Sequence, residues 1–567
     1  MANKISRRQF IKKSAKGAAF TGLGGHNLII HVCSKSIKYD LIISQGIVYD
    51  GLGNTGKEID IAIKEDKIFL IGNRIKKNKA KKVINAQGLA VSPGFIDAHT
   101  HTDVELMVNP KAESYIRQGV TTKISGNCGY SPFPIAESDF EEQKRTLKET
   151  YDIDLNWKNI NGFFQRLGEQ GMALNYATLL GQGSLRGEVV GFNDQSPTKN
   201  QLAEMKKLVT ENMKAGAFGL STGLEYAPGS YAKTDEIIEL CREVAKVNGI
   251  YATHMRDEGD TLLEAIDEAI TIAHETKVSL QISHLKVAYP RNWSKINAVL
   301  LKIEEAKKKG IDILADRYPY IAGSTGLSLY FPLWARQGTT SEFLARLKNP
   351  DLDSKLRSYS KEQEKKLGSW DKVLICDVFT EKNKKLEGKN ILEASRENGK
   401  EAYDFMRDLL IEEENRVGMI IFMMKEDNLK RILAHPLVVI GSDGSAVAPY
   451  GLLGKGKPHP RHYGTFPRIL GKYAREDKLF TLPQAIQKMT SLTAQKFGLS
   501  KRGQIKEDFF ADIVIFDPTK VKDLATWENP HQYPKGIDYV FVNGKIVVSE
   551  GNHTGNLPGR ILKKGFI

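Results

Sequence analysis

Six residues of this 567-residue chain have side chains suited to holding a metal ion or moving a proton, and they stand at recurrent places. His99 and His101 follow the apolar run Gly94-Phe95-Ile96 within Ser92–Asp103, with one residue between them. Side chains alternate along a strand, so two histidines at that spacing share a face. Two imidazoles on one face suit a zinc-type ion. Cys128 stands in Ser125-Gly126-Asn127-Cys128-Gly129, where flanking glycines would leave a thiolate accessible. His254 ends Tyr251-Ala252-Thr253-His254, His284 ends Ile282-Ser283-His284, and Asp443 ends Ile440-Gly441-Ser442-Asp443. Any one of these histidines, or a free cysteine, is more often a core residue than a ligand. Six of them at the ends of five apolar runs argue for a shared site.

The elements that must position them read as repeated strand-then-helix units. Candidate strands lie at 94–99, 120–126, 174–180, 217–222, 249–254, 278–284, 312–317 and 437–442. Helical patterns follow several of them, one with Thr234 as its cap and Gly249 just past its end. Eight such units predict a (β/α)8 TIM-like barrel, in which chemistry gathers at the carboxyl ends of the strands. The gap between the seventh and eighth strands predicts an inserted subdomain at about 326–430. Both chain ends carry short alternating runs, such as Tyr39–Gly51 and Tyr539–Val548, the latter with an Asn543-Gly544 turn. The expected organisation is therefore a signal at 1–35, a catalytic barrel at 93–500, and a small β-domain formed from 36–92 and 501–567.

Composition excludes some classes. The formal charge of +14 looks like a polyanion binder, but Met1–Lys38 holds eight Lys/Arg and no acid, which leaves 74 − 68 = +6 for the rest. No nucleic-acid partner is expected. Cys33, Cys128, Cys241 and Cys376 are widely spaced and contain no CxxC, so neither a disulfide framework nor a zinc ribbon is suggested. Ser6-Arg7-Arg8-Gln9-Phe10-Ile11-Lys12 resembles a twin-arginine export motif, and the glycine-containing stretch behind it is too polar to span a bilayer. Export to the periplasm by the twin-arginine machinery is the expectation. Val32 before Cys33 does not match a lipid-anchor box.

The HxH after the first strand, the histidines ending the fifth and sixth, and the aspartate ending the eighth resemble the amidohydrolase superfamily. More narrowly, GNCG at 126–129, THMRDE at 253–258, ISHLK at 282–286 and GSDG at 441–444 look like the N-acyl-D-amino-acid deacylase (D-aminoacylase) family. The likeness extends over nearly the whole chain after the signal, including HPRHYGTFPRIL at 459–470. One departure is HTHTD at 99–103, where members often read HTHDD. Many related enzymes bridge two metals with a carbamylated lysine ending strand four. Ala217-Phe218-Gly219-Leu220-Ser221-Thr222 offers none.

The resemblance implies that Cys128 takes that place. It implies a tight zinc site at Cys128, His254 and His284, and a weaker second one at His99, His101 and Cys128. Zinc lowers the pKa of bound water toward about 7, and Asp443 is the candidate general base and acid. The implied substrate is an N-acyl-D-amino acid, whose carboxylate Arg256 or Lys286 could pair, with Tyr318 and Ser324 as further contacts. His459 and His462 carry no assigned role, and His274 is expected to be exposed. Two alternatives stay open: a zinc amidohydrolase acting on an unusual dipeptide or cyclic amide, and a non-catalytic exported metal-binding barrel. A nucleobase deaminase has no use for a carboxylate clamp.

Overall fold

Short apolar runs bounded by glycine form the strands from which the site hangs. The computed structural model describes residues 39–565, so the twin-arginine motif and Cys33 lie outside the described residues. Eight parallel strands run Phe95–Asp97, Val120–Ser125, Asn175–Thr178 continued by Leu180–Gly181, Gly219–Gly223, Ile250–His254, Ser279–Ile282, Ile313–Arg317 and Val438–Ile440. Each pairs with the next. Leu179 bridges the two halves of the third, donating to Ser125 O at 2.9 Å, while Phe218 N donates to Thr178 O at 2.8 Å. The ladder closes because Ala98 N reaches Ile440 O at 3.3 Å and Thr100 pairs in parallel with Gly444. Strands covered by helices are buried on both faces, polar residues such as Thr121, Thr122 and Lys123 included, so they carry no in-and-out alternation.

The helices between them are specified locally. Lys199–Ala215 opens on a capping box of Thr198 with Gln201 and stops at Gly216, whose φ is +119°. The helix expected to be capped by Thr234 begins at that residue without a side-chain cap. The Thr234 hydroxyl donates instead to Glu268 at 2.9 Å, joining two neighbouring helices.

Both chain ends contribute to one nine-stranded sheet, with Ala90–Pro93 antiparallel to Ile513–Phe516. Asn543 and Gly544, with φ of +47° and +75°, make the hairpin turn between Ile537–Val542 and Lys545–Ser549. This sheet fixes the start of the first barrel strand. Gly94 N donates to Asp512 O at 2.8 Å, and a Cβ on Gly94 would lie 2.2 Å from the Thr121 hydroxyl.

Between the seventh and eighth barrel strands, Ala322–Gly326, Val417–Phe422 and Val373–Val378 form a separate antiparallel sheet in that order. Helices Thr340–Lys348, Pro350–Leu367, Ile391–Glu397 and Ala402–Glu412 pack on it around Phe343, Trp370 and Met406.

Candidate metal centre and substrate cavity

Strand ends converge on one thiol. Cys128 Sγ lies 3.3 Å from His99 Nε2 and 3.4 Å from His284 Nε2. The metal-capable atoms of Cys128, His254 and His284 lie within 4.8 Å of one another, and so do those of His99, His101 and Cys128. Asp443 closes the group: its Oδ1 is 2.9 Å from His101 Nε2 and 3.5 Å from His99 Nε2, while its Oδ2 accepts from Arg461 Nη1 at 2.8 Å.

The backbone is strained where these side chains project. Cys128, His284 and Asp443 have φ of +52°, +34° and +52°, conformations that cost a non-glycine residue about 1–3 kcal/mol each. The glycines around Cys128 serve close packing. A Cβ on Gly126 would meet Leu179 O at 2.1 Å, and one on Gly129 would meet Gly223 N at 2.6 Å. They press the Cys128 loop against the third and fourth strands and so aim the thiol inward.

Each inner histidine is held from behind by a carboxylate. His99 Nδ1 lies 3.2 Å from Asp316, His284 Nδ1 lies 3.0 Å from Glu258, and His254 Nε2 lies 3.0 Å from Glu225. Such pairs fix which ring nitrogen faces a metal. His254 then presents Nδ1, which is buried with no hydrogen-bond partner. A buried orphan nitrogen beside a thiol and an imidazole is the feature a cation would satisfy.

Charge agrees with this. Burial alone would raise the Cys128 thiol, but His99, His284 and His101 hold it well below its ordinary value, as a thiolate. Burial would depress the histidines, yet Cys128 and Asp443 raise His101 to about 9, and Glu258, Cys128 and Glu225 raise His254 to about 10. The cluster therefore binds protons strongly, and a dication competes for the same lone pairs. One thiolate with four imidazoles fits zinc. Burial opposes ionisation of Asp443, but Arg461 and His101 keep its carboxyl well below the usual range.

A cavity of about 560 Å³ opens on this cluster. Lys286, Tyr318 and Ser324 line it, and Arg256 does not. Arg256 points instead to Glu268, at 2.8 and 3.0 Å, and to the carbonyls of Ser230 and Ala232. Its expected role at the substrate carboxylate is thereby corrected: two residues past His254 the chain has left the strand, and the shared face is lost. Lys286 does reach the cavity but is buried, 2.5 Å from Glu258 and 2.8 Å from His284 Nδ1, so its charge is already matched.

Arg461 is the cavity cation that strand-end reasoning passes over. It is buried, lines the cavity, pairs with Asp443 and covers the Tyr318 ring at 4.9 Å. Its signal was present between His459 and His462. Of these, His459 is a structural residue, with Nε2 2.9 Å from Ala322 O and Nδ1 accepting from Arg461 N at 3.0 Å. His462 is pushed down to about 3 by burial and by Arg461, and accepts from Ser445 N at 2.7 Å. Asp316, at the end of the seventh strand, answers to the same strand-end rule as the ligands. Glu225 and Glu258 sit in loops with no such marker. His274 is exposed.

Residues 82–345 and 402–548 match the model of the Amidohydrolase family. A D-aminoacylase of Alcaligenes xylosoxydans xylosoxydans is 36% identical over 531 residues, spanning 94% of this chain and 99% of that protein. An N-acyl-D-aspartate deacylase of the same organism is 33% identical, over 93% and 95% of the two chains. The crystal structure of an N-acyl-D-glutamate deacylase from Bordetella bronchiseptica, complexed with zinc and a phosphonate that mimics the tetrahedral intermediate, superposes with a TM-score of 0.78. That protein is 30% identical, over 93% of this chain and all of that one.

Proposed function

The chain belongs to the amidohydrolase family and, within it, to the D-aminoacylases, and from that premise we propose that it hydrolyses N-acyl-D-amino acids to a D-amino acid and a carboxylate. It is an enzyme acting on amide bonds. The observation that carries the finer reading is the convergence of Cys128, His254 and His284 on one point, with Asp443 held beside it between His101 and Arg461.

Cys128, His254 and His284 would hold a tight zinc ion, and His99 and His101 with Cys128 a weaker one, supplying Lewis acidity toward the amide carbonyl and a water molecule. Asp443, ionised in its ion pair, accepts a proton from the attacking water and returns it to the amine nitrogen as the C–N bond breaks. Amines leave poorly without that proton. Arg461 is the cation assigned to the substrate α-carboxylate: its guanidinium faces the cavity, and only one of its nitrogens is committed to Asp443. Tyr318 and Ser324 complete that wall, and Lys286 orients His284 through Glu258. A carboxylate pinned at Arg461, an amide pinned at the strand ends and a side chain confined to the cavity make three fixed points, which one hand of amino acid satisfies.

The test is amine release by zinc-loaded protein from matched N-acetyl-D- and N-acetyl-L-leucine, -methionine and -phenylalanine. Release confined to the D forms is expected. No release with zinc bound would turn the search to other amides, such as an unusual dipeptide or a cyclic amide.

We also propose that the protein is exported to the periplasm by the twin-arginine route. No helix among the described residues is long and apolar enough to cross a membrane. Retention in the cytoplasm of a chain with Arg7→Lys and Arg8→Lys, against export of the unaltered chain, is the expected outcome.

A further inference from the structure

Lysine and arginine do not balance the carboxylates that line the cavity. Among the described residues its lining holds five carboxylates, Asp139, Glu225, Asp257, Glu258 and Asp443, and only two side chains from lysine or arginine, Lys286 and Arg461. Both cations are spoken for. Lys286 sits 2.5 Å from Glu258, and Arg461 sits 2.8 Å from Asp443, where it is also the group assigned to the substrate α-carboxylate.

The three remaining carboxylates have no lysine or arginine partner within ion-pair distance. Asp257 accepts from Gly259 N, Thr261 N and the Thr261 hydroxyl, all at 2.7–2.8 Å, so it serves its own loop. Asp139 accepts from Gln143 at 2.5 Å. Glu225 is different. Its one side-chain contact is His254 Nε2 at 3.0 Å, and 30% of its side chain remains open to the cavity. The ring of Tyr226 rests on His254 with centroids 4.9 Å apart, so this corner adjoins the Cys128, His254 and His284 group.

Resting on the deacylase reading above, we infer that the cavity is a charge filter centred on Glu225, which admits N-acyl-D-amino acids with neutral or cationic side chains and rejects acidic ones. A substrate with a carboxylate side chain carries two anionic groups into a space that offers one usable cation. Its second carboxylate finds no further lysine or arginine in the lining and meets Glu225, Asp257 or Asp139, a like-charge contact. A cationic side chain meets the same groups as counter-ions, and a neutral one rests on Tyr226, Tyr289, Leu329 and Met423.

The experiment compares kcat/KM of the zinc-loaded full chain for Nα-acetyl-D-methionine, Nα-acetyl-D-lysine and N-acetyl-D-glutamate, and repeats it with Glu225→Gln. The filter predicts that D-glutamate falls at least about 100-fold below D-methionine, with D-lysine within about 10-fold of it. It also predicts that Glu225→Gln shrinks the D-lysine to D-glutamate ratio by about 10-fold or more. That ratio is internal to each protein, so a change in zinc content or folding of the variant cancels from it. D-glutamate hydrolysed as well as D-methionine, or a ratio untouched by Glu225→Gln, overturns the filter while leaving the deacylase standing. Silence on all three substrates with zinc bound overturns the deacylase reading and the filter with it.

Discussion

The strand-end cluster and the nine-stranded sheet obey different rules, although the second holds the first in place. In the sheet, local preference and structure largely agree, and its own positive-φ residues, Gln45, Glu65 and Glu550, fall at a register break and at turns. The Asn543-Gly544 turn takes the positive φ angles its residues favour, and Ile61, Ile63 and Ile513 are apolar side chains buried in the core. At the strand ends almost every local rule is broken. Three residues other than glycine have positive φ, and Asp97, Asp316, Glu258 and Asp443 are buried in a cluster of imidazoles. The sheet need only be stable, whereas the cluster must aim donor atoms at one point, and the surrounding fold sustains that strain.

The largest expected effect separates chemistry from binding inside the cluster. Asp443→Asn should lower kcat by about 10³-fold while zinc content, measured by elemental analysis, stays at the level of the unaltered protein. An active Asp443→Asn protein would remove that residue from proton transfer. Cys128→Ala should weaken zinc binding in chelator competition by more than about 100-fold, since the thiolate is shared by both candidate positions. Glu258→Gln, one step behind the ligands, should cost about 10–100-fold in zinc affinity. Unchanged affinity would reduce Glu258 to a partner of Lys286.

The sheet should respond in the opposite way. Ile61→Ala should cost about 2–5 kcal/mol in denaturant unfolding and leave kcat per folded molecule unaltered. Gly544→Ala, with a Cβ directed at Glu65 O 2.1 Å away and a positive φ, should cost more than about 1 kcal/mol and likewise spare turnover. A drop in kcat from either would mean that the sheet tunes the site as well as carrying it.

Much of this division could be read along the chain. Strand ends marked by His99, His101, His254, His284 and Asp443 stand out because each follows an apolar run, and the structure gathers all five around Cys128. Arg256 and Arg461 show where that reading stops. Arg256 follows a ligand by two residues and looked well placed, but the strand ends at His254 and the next turn carries the guanidinium to Glu268. Arg461 is eighteen positions past Asp443 in a loop and helix with no periodic signal, and the chain folds it back onto that same carboxylate.

Taken alone, the sequence determined the strand-and-helix order, the run ends that carry metal-capable side chains, and the family to which they belong, because those features are local or periodic. Only the tertiary structure decided which carboxylate stands behind which histidine, that Lys286 is neutralised, that Arg461 faces the cavity, and that Glu225 is left facing it without a lysine or arginine partner. Those pairings join residues from 18 positions apart, as in Arg461 and Asp443, to 217, as in His99 and Asp316. A charge has no partner until the fold brings one within a few ångströms, and Coulomb energy depends on that distance and on the water excluded around it.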